Sequence, residues 1–260
     1  MDRAPALAFH LRKHYFDLCT DDGRVRIVYA ARLSWGPLEL GYAGVLRDDG
    51  RGPSTEGSLL GVEEPSLGGE GVEWRASSLG LELSMQRRAR GPRRRLVDGP
   101  AGELDWDCHT LRAAVELVDR GERLVGTGYA ETLSTTIPPW ELPFDALSWG
   151  RAHEPERSLV WTVLEGPGAP EPVYAEGGEA PCAGTIDEHG VQLAGEERVD
   201  FVDQRVLREG AIGETVLAIL PGLERFPGRI LGLSETKRYA RTPSGGHVIH
   251  ERVTWPEAKR

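Results

Sequence analysis

From residue 72 onward the chain alternates. Val72, Trp74 and Ala76, then Leu79, Leu81, Leu83 and Met85, are separated by polar or small residues, and Leu111, Ala113, Val115 and Leu117 repeat the pattern. A period of two marks a strand with one buried face. Upstream, residues 25–33 and 38–46 are apolar runs hinged at Ser34-Trp35-Gly36-Pro37, with Asp22-Gly23 and Asp49-Gly50 as hairpin-type turn signals on either side. Residues 50–71 hold many breakers and predict a loop with at most a short strand. Residues 124–133 form a further run, and strand patterns return at 158–164, 183–193, 197–207, 214–220, 229–239 and 247–255. Between these sets Pro138, Pro139 and Pro143 forbid a central strand, while Phe144–Leu147 has room for one helical turn.

No amphipathic helix of useful length stands out. Many short strands with turn-rich connections predict antiparallel sheet, and closure into barrels is the economical way to remove strand edges. The expectation is an all-β chain of two β-barrels joined side by side. One spans residues 1–137, a Pro/Trp-rich crossover spans 138–157, and the second barrel spans 158–260.

Composition agrees. The 33 Gly and 18 Pro among 260 residues are scattered, with no three-residue repeat, which excludes collagen and argues against a helical bundle. A formal charge of −10 argues against nucleic acid as a partner. The one basic cluster, Arg87, Arg88, Arg90, Arg93, Arg94 and Arg95, straddles Gly91-Pro92 and reads as a solvated hairpin tip. Cys19, Cys108 and Cys182 have no metal or disulfide spacing, which fits a reducing compartment. With no secretory h-region and no membrane-length apolar segment, the expected location is cytoplasmic. Peripheral membrane contact stays open and the oligomeric state unassigned.

Familiar motifs fail. Gly126-Thr127-Gly128 begins a GxG, but Glu131 stands at the third position of the dinucleotide fingerprint. His10 and His14 lack a third ligand and read as surface residues. His247 and His250, three apart on a strand, point to opposite faces. No metal site is expected. The informative feature is carboxylates in register with apolar residues. Val125, Thr127, Tyr129, Glu131 and Leu133 share one strand face, as do Leu231, Leu233, Glu235, Lys237 and Tyr239, and His247, Ile249, Glu251, Val253 and Trp255. Period two therefore turns Glu131, Glu235 and Glu251 inward. A buried carboxyl finds a cation or stays protonated. Two readings follow: buried ion pairs, such as Glu235 with Lys237 or Glu131 with Arg151, or a neutral acid at Glu131 poised beside Tyr129 to protonate a substrate. Trp106, Trp140, Trp149 and Trp161 cluster in the same region and suggest either barrel core or an aromatic-lined cavity.

The stretch from Gly126 to Glu131, then Pro139-Trp140-Glu141-Leu142-Pro143, Leu147-Ser148-Trp149-Gly150-Arg151 and Leu159-Val160-Trp161, resembles the AttH-like and hydroxyneurosporene synthase (carotenoid 1,2-hydratase) superfamily. Asp105-Trp106-Asp107-Cys108 and His250-Glu251-Arg252-Val253-Thr254-Trp255-Pro256 are similar to it as well. The resemblance implies two lipocalin-like barrels with a ligand cavity between or within them. It further implies action on apolar isoprenoids, polyenes or polyketides, by hydration or cyclisation, with no metal or organic cofactor. The hydratases carry a GYxD segment, matched by Tyr129 and Glu131, and an upstream aromatic, matched by Trp106. A histidine two residues before that aromatic is replaced here by Leu104. Catalysis is thus expected of Glu131 and Tyr129. Substrate contact is expected of Trp106, Trp140, Trp149, Arg151, Glu235 and Glu251. A protonated Glu131 would generate a carbocation from an alkene, held by the aromatic faces of Tyr129, Trp106 and Trp140. The alternatives are a carrier of a hydrophobic intermediate without chemistry and a Diels–Alder-type pericyclase.

Overall fold

Period two does build the chain, beginning earlier than its apolar pattern indicates. In the computed structural model, which describes residues 8–177, 182–215 and 228–256, the first strand is β1 (Phe9–Cys19). It is followed by β2 (Val25–Trp35), β3 (Leu38–Asp48), β4 (Pro53–Ser58), β5 (Ser66–Leu67), β6 (Gly71–Ala76), β7 (Leu81–Ala89), β8 (Arg93–Gly99), β9 (Gly102–Asp119) and β10 (Glu122–Thr135). All pair antiparallel in one ten-stranded sheet of order β4-β3-β2-β1-β10-β9-β7-β6-β5, with β8 also on β9.

A second, six-stranded sheet follows the prolines. Its strands are β11 (Ala146–His153), β12 (Ser158–Glu165) and β13 (Val173–Glu176), then, after three short strands, β17 (Val202–Ala211), β18 (Ser234–Arg241) and β19 (His247–Thr254), in the order β13-β12-β11-β19-β18-β17. The short strands β14 (Gly184–Asp187), β15 (Gly190–Leu193) and β16 (Val199–Asp200) form a third sheet. The molecule is therefore an antiparallel all-β, lipocalin-like fold. No pairing among the described residues closes a sheet on itself.

Apolar residues sort into three layers. Phe16, Val28, Val45, Trp74, Leu83 and Val115 cluster on one face of the first sheet. Trp161, Phe201, Val191, Ala240 and Val248 lie between the second sheet and the third. The layer between the first and second sheets mixes both halves of the chain: Tyr15, Ile27, Trp106 and Tyr129 meet Trp149, Val160, Tyr239 and Ile249. At its centre the guanidinium of Arg151 on β11 donates to both carboxylate oxygens of Asp17 on β1, at 2.7 and 3.1 Å, and to the His247 carbonyl at 2.9 Å. Both side chains of the pair are 0% exposed.

Several expectations change. The second sheet begins at Ala146, inside the stretch read as crossover, and Ala146–Leu147 are strand rather than helical turn. The arginine cluster is not a hairpin tip. β7 and β8 do not pair with each other but run end to end along β9, interrupted at Arg90-Gly91-Pro92. A glycine is required there because the chain lies against Cys108: a Cβ on Gly91 would sit 2.2 Å from the Cys108 sulfur. The run over 183–193 is a hairpin of β14 and β15. Gly228–Leu231 is a helical turn, so the strand expected from 229 starts at Ser234. Of the strand expected over 214–220, residues 214 and 215 are in a turn and the rest lies outside the described residues. Residues 1–7 of the terminal stretch also lie outside them. His14 is buried rather than on the surface, hydrogen-bonded to the Thr132 hydroxyl at 2.9 Å. His247 and His250 do face apart, one toward Tyr239 and the other toward Gln204.

Breaking the inter-sheet ion pair from one side leaves an unpaired buried charge, so Arg151→Met is expected to destabilise the fold by about 3–5 kcal/mol. The double variant Asp17→Leu/Arg151→Met is expected to lose clearly less, as measured by urea unfolding. A second expectation concerns acid. His109 and His250 are both held down to about 4 from 6.5, by burial first and then by Arg87 and Arg238 respectively. Between these pH values the unfolded chain binds protons that the native state refuses. Stability is therefore complete above about pH 6.5 and falls toward pH 4, by at most about 1.4 kcal/mol per pH unit for each histidine. Replacing both by Gln is expected to reduce the slope of urea-midpoint profiles over that window, the remainder coming from other buried histidines such as His247, also held down to about 4.

Candidate functional site

Two rows of side chains, three strands wide, face each other across the inter-sheet layer. On the first sheet the strand register places Tyr29, Tyr15 and Glu131 side by side on β2, β1 and β10. On the second it places Lys237, Glu251 and Trp149 side by side on β18, β19 and β11. The rows interlock. The Tyr15 and Trp149 rings pack edge to face at 4.9 Å, and the Lys237 ammonium lies 5.5 Å from the centroids of both.

Glu131 is the point of convergence. Its Oε2 accepts three hydrogen bonds, from Trp106 Nε1 at 2.5 Å, the Tyr129 hydroxyl at 2.7 Å and Trp149 Nε1 at 3.0 Å. None of these uses Oε1. The local backbone explains how Trp106 arrives. Around Glu131 the β9–β10 pairing shifts register twice, between Gly128 and Ala130 and again between Ala130 and Thr132, each step placing an extra β9 residue against β10. Such bulges re-aim side chains, and here Trp106, Tyr129 and Glu131 come to one place. Tyr129 stays a donor because burial, then Cys108 and Glu131, push its phenol well above its usual value.

Three donors therefore meet on one oxygen of Glu131 and none on the other. The ion pair of Glu131 with Arg151 is not formed, since that guanidinium belongs to Asp17.

The remaining carboxylates are neutralised. Arg208 on β17 donates to both oxygens of Glu235 at 2.8 and 2.9 Å. Lys237 pairs with Glu251 in direct contact and with Glu235 at 3.6 Å. Burial would raise Glu235, but Lys237 and Arg208 overcome it and hold it below its usual value. Lys237 itself is brought down to about 7, chiefly by burial, against the pull of Glu235 and with Arg208 and Lys13 adding to the drop.

Beside this network lies a cavity of about 340 Å³ between the two sheets. That is the size of a small-molecule site. Leucines and aromatic rings make most of its wall, while Glu131, Glu235, Glu251, Arg208 and Lys13 supply its charged groups. Trp106 and Trp149 line it, and so does Leu104, whose apolar side chain extends the greasy wall. Trp140 and Arg151 do not. Trp140 packs edge to face against Phe9 and at a tilt against Trp35, and Arg151 is the clamp between sheets. Lys13 and Arg208 were not singled out from the sequence. The period-two position of Lys13, between Ala31 and Leu133 on the neighbouring strands, would have shown it, had β1 been read as a strand.

No family model matches the chain. No curated protein matches it. Solved structures do. The crystal structure of CghA aligns over 96% of this chain and 90% of its own, at 12% identity and a TM-score of 0.56. CghA with Sch210972 aligns over 94% and 88%, at 10% identity and a TM-score of 0.50. Kievitone hydratase from Nectria haematococca aligns over 94% and 88%, at 9% identity and a TM-score of 0.51. At these identities the likeness is one of fold, and it spans nearly the whole of each chain. The lipocalin-like β fold implied by the sequence resemblance is the one found, though no sheet among the described residues closes into the two barrels expected. No helix among the described residues is long and apolar enough to cross a membrane.

Trp106→Phe and Trp149→Phe keep a ring and remove one donor from the Glu131 carboxylate. Each is expected to lower stability by about 1.5–3 kcal/mol in urea unfolding, the range for a hydrogen bond to a charged group.

Proposed function

We propose that the chain is a cofactor-free enzyme that hydrates or cyclises an alkene of a hydrophobic natural-product substrate bound between the two sheets. The observation that carries this reading is the Glu131 carboxylate, fixed by three donors through Oε2 at the wall of an apolar cavity, with Oε1 left for chemistry. Glu131 and Tyr129 keep the catalytic place the sequence assigns them, but with altered roles. As an anion, Glu131 takes a proton through Oε1 from a water or a substrate hydroxyl while that oxygen bonds to one alkene carbon. The electron pair of the double bond moves to the other carbon, which then receives the proton back from Oε1. The same proton leaves oxygen and arrives on carbon, so the enzyme is regenerated without an external acid, oxidant or metal.

Tyr129, Trp106 and Trp149 hold the carboxylate in one orientation throughout. This route requires the carbanion that forms to be delocalised, so the alkene is conjugated to an electron-withdrawing group rather than isolated. That the fold is shared with a protein named for a hydratase supports hydration as chemistry such a scaffold hosts.

The test is Glu131→Gln, which preserves volume and removes the base. Purified protein is incubated with conjugated hydrophobic alkenes, and products are followed by mass spectrometry for gain of one water or for an isomer. The variant is expected to lose turnover by at least ~100-fold while binding its substrate nearly as well. Unchanged turnover would overturn the base assignment and favour a pericyclic reaction, in which shape alone acts. Binding without turnover of any alkene in the wild type would favour a carrier.

A further inference from the structure

The charged groups of the cavity are not equally satisfied. Arg208 is held by Glu235 and by the Tyr29 hydroxyl at 3.2 Å, and Lys237 is held by Glu235 and Glu251. Lys13 is different. Its side chain leaves the middle of β1 on the cavity face, beside Tyr29, whose ring centroid lies 5.8 Å from the ammonium. Among the described residues it has no hydrogen bond and no carboxylate within salt-bridge distance. Burial holds its ammonium below the usual value, against the pull of Glu131 and then Glu235, neither of which is in contact with it. Glu131 likewise has no cation in contact, and its Oε1 is unused. Of the cations at and beside the cavity, Lys13 alone among the described residues has no carboxylate in contact, and Glu131 is the lining carboxylate with no cation in contact; Arg208, paired with Glu235 through Nη2, leaves its Nε and Nη1 without a partner on the same wall.

An ammonium set into an apolar wall with no partner is costly unless something completes it. Water in an apolar cavity completes it poorly, and a hydrocarbon not at all. An oxygen carrying negative charge completes it well, since a charge-assisted hydrogen bond in a low-dielectric site is among the stronger polar contacts available. We propose that Lys13 is a substrate-binding residue that takes an anionic oxygen, so that the ligand of this cavity is a hydrophobic acid, a carboxylate or a stabilised enolate, rather than a hydrocarbon polyene. This rests on the reading of the cavity as the substrate site and narrows the substrate class. It also supplies what the proposed addition needs. The charge leaving the double bond ends on an oxygen, and Lys13 lies on the cavity face where that oxygen can be met, diagonal to Glu131 on the neighbouring strand.

The experiment compares decanoate with 1-decanol by titration calorimetry at about pH 6.5, where a carboxylate is ionised. Wild type, Lys13→Met and Lys13→Arg are titrated below the micellar concentration. The Met variant keeps the length and apolar body of the side chain and removes the charge, and a side chain without bonds is not required for folding. The wild type is expected to bind decanoate roughly tenfold or more tighter than decanol. Lys13→Met is expected to lose that preference while its affinity for decanol stays within about twofold, and Lys13→Arg to retain part of it. Equal affinity of the wild type for both probes overturns the assignment of Lys13 and leaves the cavity reading intact. So does a preference that survives Lys13→Met. Binding of neither probe by the wild type overturns both.

Discussion

The arrangement of this protein hangs on one ion pair. Asp17 and Arg151 come from different sheets, lie 134 residues apart, and meet at full burial where no water can substitute for either. Burial works against the charge on Arg151, and the Asp17 carboxylate more than offsets it. A pair of this kind adds little net stability over a well-packed apolar contact, but it tolerates only one alignment of the surfaces that carry it. Here it fixes strand β1 against strand β11. The apolar cluster of the inter-sheet layer and the Trp149–Glu131 hydrogen bond are built on the same alignment.

The candidate site has the same dependence. Trp106 and Tyr129 reach Glu131 from within the first sheet, whereas Trp149 reaches it from the second. Neither sheet alone holds the carboxylate, and neither alone balances the charges around it, since Lys13 and Glu131 belong to the first sheet and Arg208, Glu235, Lys237 and Glu251 to the second. Docking the sheets brings together two incomplete polar surfaces.

Much of this was legible in the sequence because a strand has only two faces. Period two turned Glu131, Glu235 and Glu251 inward, and all three line the cavity. The same rule faltered at the other end of β10, where Val125 shares the face of Glu131 yet is exposed, because the strand runs beyond the second sheet. Strand β1 was illegible for a related reason. Its inward face carries Lys13 and Asp17, and its other face carries His10, Arg12 and His14, so charge erased the apolar rhythm where the site is densest. Arg151 looked like a substrate contact and is a clamp, because its partner sits far away in the chain. Gly91-Pro92 looked like the tip of a hairpin. That two consecutive segments share the single partner β9 is a matter of tertiary pairing, which local spacing does not encode.

The two oxygens of the Glu131 carboxyl are made unlike by their surroundings, one saturated by donors from three sides and the other left open. A carboxylate pinned in this way has lost its rotational symmetry, and any proton that reaches or leaves it travels along a single direction. A flat, prochiral carbon held beside it would be met from one side only. Handedness in a product would then originate in the fold of the chain itself, through the pair of bulges in β9 that bring Trp106 to bear, without a chiral cofactor to impose it.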